Sequence, residues 1–118
     1  MAAKKILFCI GASPRASMFC LEGLRATVGA ASDLQEHMVA ALMYGDGVYL
    51  ALSNSKRDSL EKFLRALTNS DVRLYVDRAS LEARRIPLDK IDSRMEPVSQ
   101  EQILRMLQDA DHCVNFSG

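Results

Sequence analysis

The 118-residue chain carries 15 basic and 15 acidic side chains, no formal net charge, and 48% hydrophobic residues. Its length suits one domain over 1–118, and its composition excludes a disordered chain. Neutrality argues against a nucleic-acid partner, which normally selects a basic excess or stripe.

Lys5 to Ile10 is a short apolar run closed by Gly11-Ala-Ser-Pro, and length and punctuation together predict a strand. Ser13 to Ser17 is then a loop, with Ser17 placed to cap the helix that follows. That helix runs from Met18 to about Ser32, with Leu21, Leu24, Val28 and Ala31 on one stripe. His37 to Tyr44 is a second, nearly continuous apolar run. Such continuity predicts a strand covered on both faces, hence a parallel sheet. Gly45-Asp-Gly47 breaks it, and Val48 to Leu52 reads as a short helix or turn capped by Asp46.

Asp58 and Glu61 have capping-box spacing before a helix whose apolar stripe is Leu60, Phe63, Leu64 and Leu67. Val72 to Val76 is a third strand. Asp77 caps a short helix through Arg84 that stops before Pro87. Ile86 to Val98 is mostly loop, with a brief strand near Ile91. A second capping box, Ser99 to Gln102, opens a helix with Ile103, Leu104, Leu107 and Ala110 on one face, and His112 to Phe116 is a last strand. Alternation of this kind gives a three-layer α/β fold, a mostly parallel sheet with helices on both faces, of flavodoxin-like type. Ligands of such sheets sit at the carboxyl ends of the strands, which directs attention to Gly11–Ser17, Gly45–Val48 and Asp77–Ala79.

From Arg73 to Arg94, six basic residues alternate with Asp77, Glu82, Asp89 and Asp92, the pattern of a solvated face. No secretory leader and no apolar run of about 20 residues is visible, so a cytoplasmic protein with no membrane partner is expected. The three cysteines are then free thiols. Cysteine and histidine spacing does not suit zinc, and no metal or cofactor is expected.

Lys4-Lys-Ile-Leu-Phe, Leu21-Glu-Gly-Leu-Arg25, Tyr44-Gly-Asp-Gly-Val-Tyr-Leu50, Leu74-Tyr-Val-Asp-Arg-Ala-Ser-Leu-Glu-Ala-Arg-Arg-Ile86 and Asp109-Ala-Asp-His-Cys-Val-Asn-Phe116 resemble, in that order, the DsrE/DsrF-like family, in particular the small TusC/DsrF-type subunits of sulfur relay. The resemblance covers nearly the whole chain, with the Asp-Gly-Val turn its most telling element. It implies a DsrE-like fold and a homo- or hetero-oligomer with DsrE-like subunits. It also implies a role in sulfur oxidation or tRNA thiolation.

Catalytic members of that family hold sulfur as a persulfide on a cysteine at the end of the third strand, and the resemblance places Asp77 there. A strand end entering a helix offers unsatisfied N–H groups and a positive dipole end, which lower a thiol's pKa. An aspartate there gains about 1 kcal/mol as a cap and cannot carry a persulfide. The resemblance thus implies a non-catalytic or accessory subunit, and the enzyme question leans to no. Cys9 and Cys113, inside strand runs, read as small core residues. Cys20, near the first loop, is the alternative carrier.

A second reading starts from Ser13, Arg15 and Ser17. Two hydroxyls, an arginine and a helix start together favour a phosphate, as in the phosphate loop of flavodoxin-like flavin reductases. No second glycine-rich, aromatic-bearing loop is present to hold a flavin ring. Asp46, beside Gly47, is a candidate ligand-binding or general-base carboxylate.

Overall fold

Leu7, Phe8, Cys9 and Ile10 are all buried, so β1 (Lys5–Ile10) is covered on both faces, as its unbroken apolar run requires. The computed structural model describes residues 4–14, 18–33, 38–52 and 58–117. After β1 come α1 (Met18–Asp33), β2 (Met38–Met43), a 3-10 helix over Gly45–Ala51 and α2 (Asp58–Asn69). Then follow β3 (Arg73–Asp77), α3 (Arg78–Ala83), a 3-10 turn over Leu88–Lys90, β4 (Met95–Val98), α4 (Gln100–Asp109) and β5 (His112–Phe116).

The sheet order is β4-β3-β2-β1-β5 and every pairing is parallel. From β1 to β4 the chain steps in one direction, and α4 carries it back across the sheet to β5. On one face, Ile10, Ala41, Met43, Leu74 and Val76 form the main core with Leu24 of α1 and Leu60, Leu64 and Leu67 of α2. Burying each of those leucines stabilises the fold by about 1.5–3 kcal/mol. On the other face, Leu7, Cys9, Leu42 and Val98 are covered by Ile103, Met106 and Ala110 of α4. The three layers are therefore unequal: a helix pair on one side, one helix on the other.

Several expectations are corrected. The short helix after β2 begins at Gly45, whose φ of +54° starts the turn; Asp46 lies in its first turn and the capping position belongs to Tyr44, which makes no side-chain cap bond. The strand near Ile91 is an isolated bridge to Leu52, and the fourth strand lies four residues later, through Pro97. Proline is tolerated there because β4 is a sheet edge. The capping box at Ser99 and Gln102 is formed. The partly buried stripe of α4, however, includes Met106, while Leu104 and Leu107 are 56% and 42% exposed.

Arg84 and Arg94, read as part of a solvated face, are held in ion pairs. Arg94 donates to both oxygens of Glu61 at 2.8 and 2.7 Å and to the buried Asp92, tying α2 to the start of β4. Glu61 thus serves Arg94; the Asp58 side chain of the expected box, and Ser17, lie outside the described residues. No described helix is long and apolar enough to cross a membrane.

Candidate functional site

At the carboxyl ends of the strands, Asp77 is the hub. It ends β3, is 7% exposed, and caps α3 by accepting from the Ala79 N–H at 3.1 Å. The same oxygen accepts from Gln100 Nε2 at 2.8 Å, and the other accepts from the Ser80 hydroxyl at 2.6 Å. Ser80 in turn accepts from the Gly45 N–H at 2.9 Å. One carboxylate thereby joins the tops of β2, β3 and β4. It is surrounded by donors, the environment that would favour a thiolate if a cysteine stood there, and both of its own oxygens already accept hydrogen bonds.

Asp46 stands on the neighbouring 3-10 helix. Its Oδ1 accepts from Arg84 Nε and Nη2 at 3.1 and 2.9 Å, and Arg84 also donates to the Ser80 carbonyl. The Arg84 guanidinium lies 6.0 Å from the Tyr49 ring centroid, within cation–π range. The structure therefore brings Asp46 and Asp77 into one network through Ser80, Gly45 and Arg84. Asp46 faces a guanidinium, and among the described residues its hydrogen bonds are to Arg84, not to a histidine or second carboxylate that would support general-base work.

Gly47 is required by backbone proximity. A Cβ at that position would come within 2.1 Å of the Ile10 carbonyl oxygen, because the 3-10 helix crosses the end of β1. Gly11 is likewise roofed by Tyr44, whose ring would meet a Cβ there at 2.5 Å. Tyr44 donates its hydroxyl to Asn115 Oδ1 at 2.6 Å, spanning from β2 over β1 to β5. Strand order reverses at β1, so the β1–β5 crevice is the place where doubly wound sheets bind ligands. Here an aromatic ring lies across its rim. Of the proposed phosphate loop, Ser13 is described, two residues after Gly11, and Arg15 and Ser17 lie outside the described residues.

An open cleft lies elsewhere among the described residues. About 770 Å³ in volume, it lies at the amino ends of β1–β3, beside Lys5, Ala40, Arg73, Tyr75, Met106 and Asp109.

The cysteines separate clearly. Cys20 is fully buried in α1, and burial pushes its thiol up to about 11. The candidate carrier is thus a poor nucleophile at neutral pH, since the thiolate is the reactive form. Cys9 is buried and is pushed up to about 11 by burial and, secondarily, by Cys113. Cys113 departs from the core expectation: it is exposed, because β5 is an edge strand and α4 packs over β1 and β2. Cys113 is three strand spacings from the column of Asp77, about 14 Å at the usual spacing.

Sequence reasoning missed Ser80, Arg84 and Gln100. Ser80 stands three residues after Asp77, a local spacing that could have signalled a cap interaction. Gln100 carries no such signal, because its approach to Asp77 depends on β4 lying beside β3.

Comparison with known proteins matches residues 4–116 to the model of the DsrE/DsrF-like family. No curated protein matches the sequence. Among solved structures, the ychN protein from E. coli is similar, with a TM-score of 0.84 and 18% identity over 97% of this chain and 99% of that one. MTH1491 from Methanobacterium thermoautotrophicum, a protein of unknown function, is similar with a TM-score of 0.75 and 16% identity, covering 95% and 98%.

Proposed function

The chain belongs to the DsrE/DsrF-like family, and from that premise we propose that it is an accessory, non-catalytic subunit of a cytoplasmic sulfur relay. Its partners are DsrE-like subunits, in a homo- or hetero-oligomer, one of which carries the persulfide. The observation that carries this reading is the state of Asp77. By resemblance it holds the position of the family's carrier cysteine, and its carboxylate is used to accept from Ala79, Ser80 and Gln100. Two further features support it: the burial of Cys9 and Cys20, and the Tyr44 ring over the end of β1.

The test is intact-mass analysis with peptide mapping after exposure to a persulfide-bearing cysteine desulfurase. Wild-type protein is expected to retain no sulfur, and Asp77→Cys to accept one sulfur on the new thiol. Sulfur retained on Cys113, Cys9 or Cys20 of the wild type would overturn the non-catalytic reading.

A further inference from the structure

α4 crosses the sheet obliquely. It starts at the carboxyl end of β3, where Gln100 meets Asp77, and ends at the amino end of β1, where the Asp111 N–H donates to the Lys5 carbonyl. The cleft of about 770 Å³ lies beside this crossing, at the amino ends of β2 and β3, and its size suits a small molecule. Its floor holds Ala40 of β2, which pairs in register with Leu7 of β1 on one side and Arg73 of β3 on the other. One wall is the last turn of α4, with Met106 and Asp109. The other is Arg73 and Tyr75, two residues apart on β3 and so on one face. The Leu7 and Arg73 columns stand about 10 Å apart at the usual strand spacing, which leaves room between the walls.

Both signs of charge line the cleft. Lys5 and Arg73 bring cations, and Asp71 and Asp109 bring carboxylates. Among the described residues none of these four side chains is held in an ion pair or hydrogen bond, whereas Arg84, Arg94 and Arg105 are all paired. The last turn of α4 carries no basic side chain, and its terminal carbonyls place partial negative charge beside Asp109. An ammonium group suits that wall. On the facing wall, the planar Arg73 guanidinium matches a carboxylate in two parallel hydrogen bonds. Between them the small Ala40 leaves its floor open, and the Met106 thioether and Tyr75 ring offer apolar contact.

We propose that this cleft binds a small organic zwitterion with an apolar body, of the class of the apolar amino acids. Arg73 holds the carboxylate, Asp109 and the end of α4 hold the ammonium, and the ligand's side chain lies over Ala40 between Met106 and Tyr75. A simple anion would meet the two carboxylates, and a simple cation would meet Lys5 and Arg73. A dipolar ligand of no net charge is opposed by neither pair. The site stands four residues down β3 from Asp77, about 13 Å at the usual rise, and uses no thiol. It is therefore independent of the sulfur-relay reading.

The test is a residue-resolved NMR titration of the full chain with L-phenylalanine and L-methionine. Phenylpropionate, which lacks the ammonium, and phenethylamine, which lacks the carboxylate, are titrated beside them. Amide shifts are expected at Ala40, Arg73 and Asp109, with a dissociation constant below about 1 mM for at least one of the two amino acids. Removing either charge, from the ligand or by Arg73→Gln or Asp109→Asn, is expected to weaken binding about tenfold, the worth of one charge-assisted hydrogen bond. Lys5→Gln and Asp71→Asn alter the charge of the same cleft without removing a ligand contact, and should stay within about twofold. Ala40→Leu should abolish binding by filling the floor, and if it fails to fold the exposed charge variants decide. The proposal is overturned by the absence of shifts with both amino acids, by shifts confined to another surface, or by equal binding of phenylpropionate and L-phenylalanine. A loss at Lys5→Gln or Asp71→Asn as large as at Arg73→Gln overturns it as well.

Discussion

Gln100, the first residue of α4, donates to Asp77, the last residue of β3, at 2.8 Å across 23 positions of chain. The bond fastens the start of the returning helix to the strand end that also opens α3. It explains why a buried carboxylate is retained at a place where a hydrophobic residue would leave the donors of Ala79, Ser80 and Gln100 without this acceptor.

Replacing Asp77 tests that role. Asp77→Ala is expected to cost about 1–3 kcal/mol, combining a lost cap with lost charge-assisted bonds. Asp77→Asn keeps one acceptor oxygen and should lose less. Urea unfolding of the two variants measures both, and equal losses would show that the charge, not the acceptor geometry, holds the cluster.

Gly47→Ala should destabilise by about 3 kcal/mol, because the added methyl meets a backbone carbonyl that no rotamer change can move. Gly29, with nothing within 4 Å of its would-be Cβ, is the matched control. Within the helix α1, Gly29→Ala should stabilise by roughly 0.5–1 kcal/mol. Thermal unfolding of the pair distinguishes crowding from backbone entropy.

The buried thiols impose a sign on alkaline behaviour. Cys9 and Cys20 are raised from 9.0 to about 11 in the fold, so the unfolded chain releases their protons first. Stability should therefore fall as pH rises from about 9 to about 11, by at most about 1.4 kcal/mol per pH unit for each thiol. Cys20→Ala should flatten the slope. In a thiol titration near pH 8, Cys113 is expected to react in the native protein, and the other two only after denaturant.

Arg94 sits between Glu61 and Asp92, and its hydrogen bonds hold the Glu61 carboxyl below the usual carboxylate range. On acidification the unfolded chain takes up the proton first. The contribution is thus present at neutral pH and lost as pH falls through the lowered value. Arg94→Ala should lower the melting temperature at pH 7, since it leaves the buried Asp92 without this partner. The difference from wild type should shrink in acid, which melting curves from pH 7 to pH 3 would follow.

Except for β4, the strands and most helices were legible because each announces itself locally. An unbroken apolar run marked β1, helical spacing marked α1 and α2, and Ser99 with Gln102 marked the start of α4. The candidate site was legible only where it is local, at the Asp77 cap. Its links to Gln100 and, through Ser80, to Gly45 depend on neighbouring strand ends and leave no spacing in the sequence.

By itself, then, the sequence determined the alternating α/β order and the parallel sheet, because apolar period, capping chemistry and turn residues act over a few positions, and its motifs carried the resemblance to the family. Tertiary structure decided what each shared face exposes. It hid Cys20, exposed Cys113, turned Leu104 and Leu107 outward, drew Arg84 and Arg94 into ion pairs and laid Tyr44 across Gly11. The physical reason is that burial and pairing depend on which strand is an edge and where one helix crosses five strands. Those are properties of strand order, which no local stretch of chain encodes.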